Sequence, residues 1–305
     1  MKIRYMILLL ASLFAFGILT LIGYFASFAI TVIMGLTDVS STDNALVNQG
    51  IFSFVRYLLV IVFCGLWYYR ENWEDKKYKK NETRKILSFL IKPANIMSVL
   101  LFAAGAQIFV DSILYLLNDI FPKTIANYKE LVGSIDGSGS IMYIIMTFTL
   151  GPIAEELIFR GLCLGYLLKA FPVYGPDRGW LAISIQALLF GLFHGNIVQV
   201  IYGTLFGLLF GIIAVKTKNL LPSILIHMLI NLFYYPASWM EFNDYFACTA
   251  MVIIGIVMLL AEFVVFLKSY DKYFNNDTEA VELDEFHSKA KSKKNKLKKE
   301  NGGLK

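Results

Sequence analysis

Apolar residues in this chain fall in long unbroken runs rather than in the spacing of a half-wet surface. Tyr5–Thr37 carries no charged residue, and Ile51–Tyr69, Ile96–Leu117, Ile141–Leu168, Ile197–Val215 and Phe246–Leu267 reach or approach spanning length. Trp180–His194 and Leu220–Tyr235 are shorter apolar runs. A helix needs ~20 apolar residues to cross the hydrocarbon core of a bilayer, whereas barrel strands read as ~10-residue alternating segments. The pattern predicts an all-α fold, a polytopic transmembrane helical bundle of about eight spans in the cell membrane. The first run is far longer than the ~7–15-residue core of a secretory signal, so it reads as an uncleaved span. The short runs suit partial or re-entrant segments, which are tolerated where backbone lines a protein cavity.

The polar stretches divide the chain. Asp38–Gly50, Arg70–Lys92 and Asp119–Ser140 read as loops or linkers, the last ending in a flexible Gly/Ser-rich stretch. Phe171–Gly179 and Gly195-Asn196 read as turns. Four parts are expected: 1–140, with spans one to three and the polar loop 70–92; 141–236, a helical core; 237–268, the last span; and 269–305, a Lys-rich tail expected to be disordered. If the spans alternate, one side of the membrane collects twenty-four Lys and Arg and the other only Lys123 and Lys129. Positive charge marks the cytosolic side, so both termini are expected to be cytoplasmic.

Composition narrows the class further. Charged residues make up 17% of the chain and hydrophobic residues 57%, against about 25% charged in a soluble domain. The net charge of +5 resides in loops and tail, which excludes a nucleic-acid footprint. The expected partners are the lipid bilayer and a peptide or membrane-protein substrate. Cys64, Cys163 and Cys248 all lie in apolar runs without metal or redox spacing, as small packing residues do.

Against this background Gly151-Pro152-Ile153-Ala154-Glu155-Glu156-Leu157-Ile158-Phe159-Arg160 stands out, because it sets two carboxylates and an arginine inside an apolar run. An ionisable group at bilayer depth is costly and marks a functional site by default. Glu156 and Arg160 are four apart and can pair on one helix face, while Glu155, turned by about 100°, is free to face another neighbour. Two of the three histidines, His194 and His227, also lie in apolar runs, and His227 and Asn231 are four apart. Three helices thus offer Glu, His, and His with Asn to one interior, which supplies a base, a water-positioning partner and oxyanion donors.

Glu155-Glu156-x-x-x-Arg160, Phe190-x-x-x-His194 and His227-x-x-x-Asn231 together resemble the three-motif signature of the CPBP family. That family comprises CAAX prenyl proteases of the Rce1 type and the bacteriocin-processing or self-immunity proteins also called Abi. The resemblance covers about Ile141–Tyr235. It implies an intramembrane endopeptidase in which Glu155 and His194 activate the hydrolytic water, His227 and Asn231 stabilise the oxyanion, and Glu156 and Arg160 support the site. The family is often labelled a metalloprotease. Glu155, His194 and His227 are the candidate zinc ligands, although a catalytic zinc wants three protein ligands plus water and no His-Glu-x-x-His spacing is present.

Two readings of other classes stand beside this one. A proton-coupled transporter could use Asp111, Glu155, Glu156, His194, His227 and Glu262, but the half-chains show no repeat. A non-catalytic scaffold or bacteriocin self-immunity protein would use the fold without the chemistry. Gln107 with Asp111, and Glu262, read more simply as interior pairing. Trp67, Trp180 and Trp239 read as interfacial anchors, and the Lys-rich tail as a solvated extension with some attraction to anionic lipid.

Overall fold

The computed structural model describes residues 3–35, 41–71, 76–136, 145–171, 178–238 and 244–301. Trp239 and the start of the fourth run, 141–144, lie outside them. In chain order the helices are α1 (Ile3–Gly35), α2 (Ser41–Glu71), α3 (Lys76–Leu90), α4 (Pro93–Asn118), α5 (Pro122–Asp136), a composite α6 (145–170), α7 (Arg178–Phe193), α8 (Ile197–Thr217), α9 (Leu221–Ser238) and α10 (Tyr245–Asn301). No strand occurs among the described residues.

Five of these helices contain segments long and apolar enough to cross a membrane: Ile3–Ala26, Ser53–Glu71, Pro93–Asn118, Ile197–Thr217 and Tyr245–Phe274. Gly179–Phe193 and Leu221–Tyr234 are shorter apolar helices. Their outer faces are greasy: Phe14, Leu21 and Phe25 on α1, and Ile253, Val257 and Leu260 on α10, are exposed. Such contiguous apolar surface is stable only against lipid. The protein is an all-α, multi-pass membrane protein.

Several polar stretches fold where the sequence reads as loop. Backbone helix covers 41–50 as the start of α2, and the linker 119–140 contains α5. Within 70–92, the end of α3 turns Ile86, Phe89 and Leu90 inward. Phe89 then sits among Phe266, Tyr270, Tyr273 and Phe274 of α10, so this helix is anchored by one apolar turn beneath a run of lysines. The tail, expected to lack structure, continues α10 to Asn301; its Ala, Glu and Lys content favours helix.

Two apolar cores meet along α8. One joins α3, α4, α5, α8, α9 and α10; the other joins α1, α2, α6, α7 and α8. Gly203 and Gly207 let α8 lie against α7 backbone to backbone, and Gly211 makes room for the Ile183 and Gln186 side chains. A Cβ on Gly207 would come within 2.8 Å of Ala187 Cα, the close approach that small residues permit between membrane helices. Polar pins fix other pairs: Ser98 donates to Glu262 Oε2 at 2.7 Å, Gln107 Nε2 to the Ile230 carbonyl at 2.8 Å, and Ser269 to Asn95 at 2.8 Å. Trp67 Nε1 donates to the Tyr166 hydroxyl at 2.7 Å.

The composite helix α6 positions the carboxylates. An α-helical turn, Gly151–Glu156, is flanked by π-helical turns at Met146–Leu150 and Leu157–Cys163, and Leu164–Ala170 returns to α. The Gly151 N–H reaches back to the Met146 carbonyl, five residues away. Pro152 has no N–H to give to the ladder. The local break expected at that residue is thus accommodated as a widened turn ahead of it.

Candidate active site

Glu156 and Arg160 form the pair that their spacing predicts. Arg160 Nη1 donates to Glu156 Oε1 at 2.8 Å, and both side chains are 0% exposed. The guanidinium is enclosed further, with Cζ 4.2 Å from the ring centroid of Phe190 and 5.0 Å from that of Phe210. Nη2 lies 3.5 Å from the Gly207 carbonyl. Aromatic faces and a carbonyl dipole suit a cation taken out of water.

His227 ties α9 to this pair. Its Nδ1 lies 3.1 Å from Glu156 Oε1 and its Nε2 lies 3.7 Å from Glu155 Oε2. Because Glu156 accepts from Arg160 as well, the carboxylate assigns a proton to Nδ1. Nε2 is left aimed at Glu155 across a gap too long for a direct hydrogen bond and suited to a shared water. The ring is held by Phe210 at 5.1 Å and Phe190 at 5.9 Å between centroids.

His194, at the end of α7, has Nδ1 2.9 Å from the Phe190 carbonyl. That carbonyl accepts from Nδ1–H, which leaves Nε2 with its lone pair. The motif spacing Phe190-x-x-x-His194 thus has a backbone reason beside its aromatic one, and the two rings meet edge to face at 5.0 Å. Asn231 Nδ2 donates to the Thr147 carbonyl in the first π turn of α6 at 3.1 Å. One amide proton is spent there and the second remains.

A cavity of about 270 Å³ joins these groups. Glu155, His194, His227 and Asn231 line it, whereas Glu156 and Arg160 do not. The two neighbouring carboxylates are therefore separated, one facing the cavity and the other committed to the buried cation. Among the described residues, the ring that reaches the Glu155 carboxylate is His227, while His194, expected to act on the same water as Glu155, lines the cavity with it. Sequence reasoning also missed part of the wall: Tyr128 of α5 and Gln199 and Tyr202 of α8 line the same cavity. Tyr128 sat in an apparent linker, and the available signal was its place on α5 beside Ile125, which is buried.

The three candidate zinc ligands do not fit that metal as placed. His227 turns both ring nitrogens to carboxylates, and no cluster of three His, Cys, Asp or Glu suited to a metal ion occurs among the described residues. Two adjacent acids, an interior arginine and two histidines around a cavity in a membrane bundle define an intramembrane acid–histidine site. Residues 137–233 match the family described as type II CAAX prenyl endopeptidase Rce1-like. The matched segment contains all three motifs, so the likeness to that family lies where the site residues are.

The chain is 29% identical over 92 residues to the putative membrane peptidase YdiL of Bacillus subtilis (strain 168), a match covering 30% of this chain and 35% of that protein. It is 32% identical over 92 residues to the membrane-embedded CAAX protease MroQ of Staphylococcus aureus (strain USA300), covering 30% of this chain and 36% of that protein. The match thus spans about a third of the length of these relatives. No solved structure matches.

Proposed function

We propose that this protein is an intramembrane endopeptidase that hydrolyses a peptide bond of a membrane-associated protein or peptide with a carboxylate-activated water. The observation that carries the reading is the division of labour between the acids. Glu156 is spent on Arg160 and His227, while Glu155 faces the cavity beside His227 Nε2. In this reading Glu155 takes a proton from water as the oxygen attacks the scissile carbonyl, and His194 Nε2 orients that water. The second N–H of Asn231 stabilises the oxyanion, joined by His227 when both of its ring nitrogens carry a proton. The C–N bond then breaks and the leaving amine takes the proton from Glu155. Residues 141–236 form the catalytic core in this proposal, with the other spans enclosing it and both termini in the cytosol.

The test uses purified protein in lipid nanodiscs and the membrane proteome of cells carrying wild type or Glu155→Gln. Glu155→Gln should keep the fold and abolish cleavage, because the amide keeps the volume and loses the base. Cleavage products at wild-type levels from Glu155→Gln would refute the assignment. Vesicle uptake of protons in wild type without any cleaved peptide would favour a transporter.

A further inference from the structure

The acid the mechanism does not use is Asp111, on α4, outside the family domain. It lines the same cavity as Glu155, His194, His227 and Asn231. Its Oδ2 is buried without a hydrogen-bond partner, and no Lys, Arg or His among the described residues lies within ion-pair distance of it. The other interior acids are committed: Glu156 to Arg160 and His227, Glu262 to Ser98. Gln107, one turn earlier, is bonded to the Ile230 carbonyl at 2.8 Å.

Two phenols complete the surroundings. The Tyr128 and Tyr202 hydroxyls lie 3.3 Å apart and their rings meet edge to face at 6.3 Å. Tyr128 and Tyr202 line the cavity together with Asp111 and Glu155, so this wall adjoins the hydrolytic carboxylate. A carboxylate without a counter-charge at this depth is costly, and a cation entering the cavity offsets that cost. Aromatic rings beside it favour the same cation. An acidic side chain would meet two carboxylates instead, and repulsion of that kind is a source of specificity.

We propose that Asp111, flanked by Tyr128 and Tyr202, forms a subsite for a basic side chain, Lys or Arg, of the peptide substrate. The proposal rests on the peptidase reading and names the class of substrate it selects. The subsite joins α4 and α5, outside the family domain, to α8 within it, so elements outside that domain add selectivity to a reaction centred on α6.

Binding and cleavage separate the two claims. The probes are membrane-bound peptides in which a single Lys, norleucine or Glu is moved through successive positions. Fluorescence anisotropy on the Glu155→Gln protein in nanodiscs should show, at one position, about tenfold tighter binding for Lys than for norleucine, the scale of one hydrogen bond to a charged group, with Glu weakest. Asp111→Asn on that background should remove the Lys advantage and the Glu penalty together. No basic preference at any position, or one unchanged in Asp111→Asn, overturns the subsite. Should Asp111→Asn lower the melting temperature, the Lys, norleucine and Glu ranking on the Glu155→Gln protein still decides. If the Asp111-dependent ranking appears and the active wild type cleaves none of the peptides, the subsite stands and the peptidase reading fails.

Discussion

Replacing Glu156 by Gln removes a charge from a pair that is dry on both sides. Arg160 would keep its two aromatic neighbours and a 3.5 Å approach to the Gly207 carbonyl, but no anion within bonding distance except by moving toward Glu155. His227 Nδ1 would keep an oxygen to donate to, because the amide preserves one acceptor. The loss is therefore mainly that of an uncompensated buried cation, about 3–5 kcal/mol, with the retained acceptor favouring the lower end. At ~2–4 °C per kcal/mol for a chain of this size, an apparent melting temperature should fall by roughly 10 °C. The assay is thermal unfolding in detergent micelles or nanodiscs, followed by loss of a monodisperse peak. The double variant Glu156→Gln with Arg160→Met removes both charges and should recover much of the loss, since well-packed apolar replacements of a buried pair are often neutral. A single variant as stable as wild type, or a double variant that loses the sum of the two single losses, would refute this account of the pair.

Other perturbations test neighbouring parts of the structure. Asn231→Ala should reduce turnover by about 10²–10³ and leave a measurable rate, as loss of one oxyanion donor does; complete loss in a well-folded variant would assign Asn231 another role. His227→Ala should lose turnover without changing metal content, because both ring nitrogens already face carboxylates; one zinc per wild-type chain that vanishes in the variant, measured by elemental analysis, would contradict that. Gly207→Val should push α8 from α7, where even a Cβ meets Ala187 Cα at 2.8 Å, with a cost of order 1–3 kcal/mol in thermal unfolding. For topology, a cysteine placed at Ser134 should react with an impermeant maleimide added outside cells and one at Lys294 should not; the reverse pattern would invert the proposed orientation.

The apolar runs made the helical membrane fold readable, because a chain that must satisfy its backbone in lipid has few alternatives. The Glu156–Arg160 pair was equally readable, since four residues bring two side chains together whether or not a wider turn lies between. What could not be read were contacts between elements far apart in sequence. Spacing gave Glu155 a free face but not its neighbour, and His227, 72 residues on, reached it across the bundle. Helix α3 was hidden because its sequence is dominated by lysines, and only Ile86, Phe89 and Leu90 carry its packing. Gln107 and Asp111 were both read as pairing with the bundle interior; Gln107 does so at the Ile230 carbonyl, whereas Asp111 lines the cavity with Oδ2 unbonded.

The glycine seam between α7 and α8 bears on how a substrate is admitted. At Gly203 and Gly207 the backbones of α8 and α7 are in direct contact, and α4 meets α10 in the same manner, with a Cβ on Gly105 falling 2.9 Å from Leu259 N. Sliding one helix of such a pair past its partner would bring main chains into collision, so each pair is expected to move as a unit. In the proposed peptidase, a polypeptide substrate entering from the bilayer would then have to part these pairs from one another, or displace α1 and α2. On that proposal the walls that carry His194 and Asp111 would keep their geometry while the substrate enters.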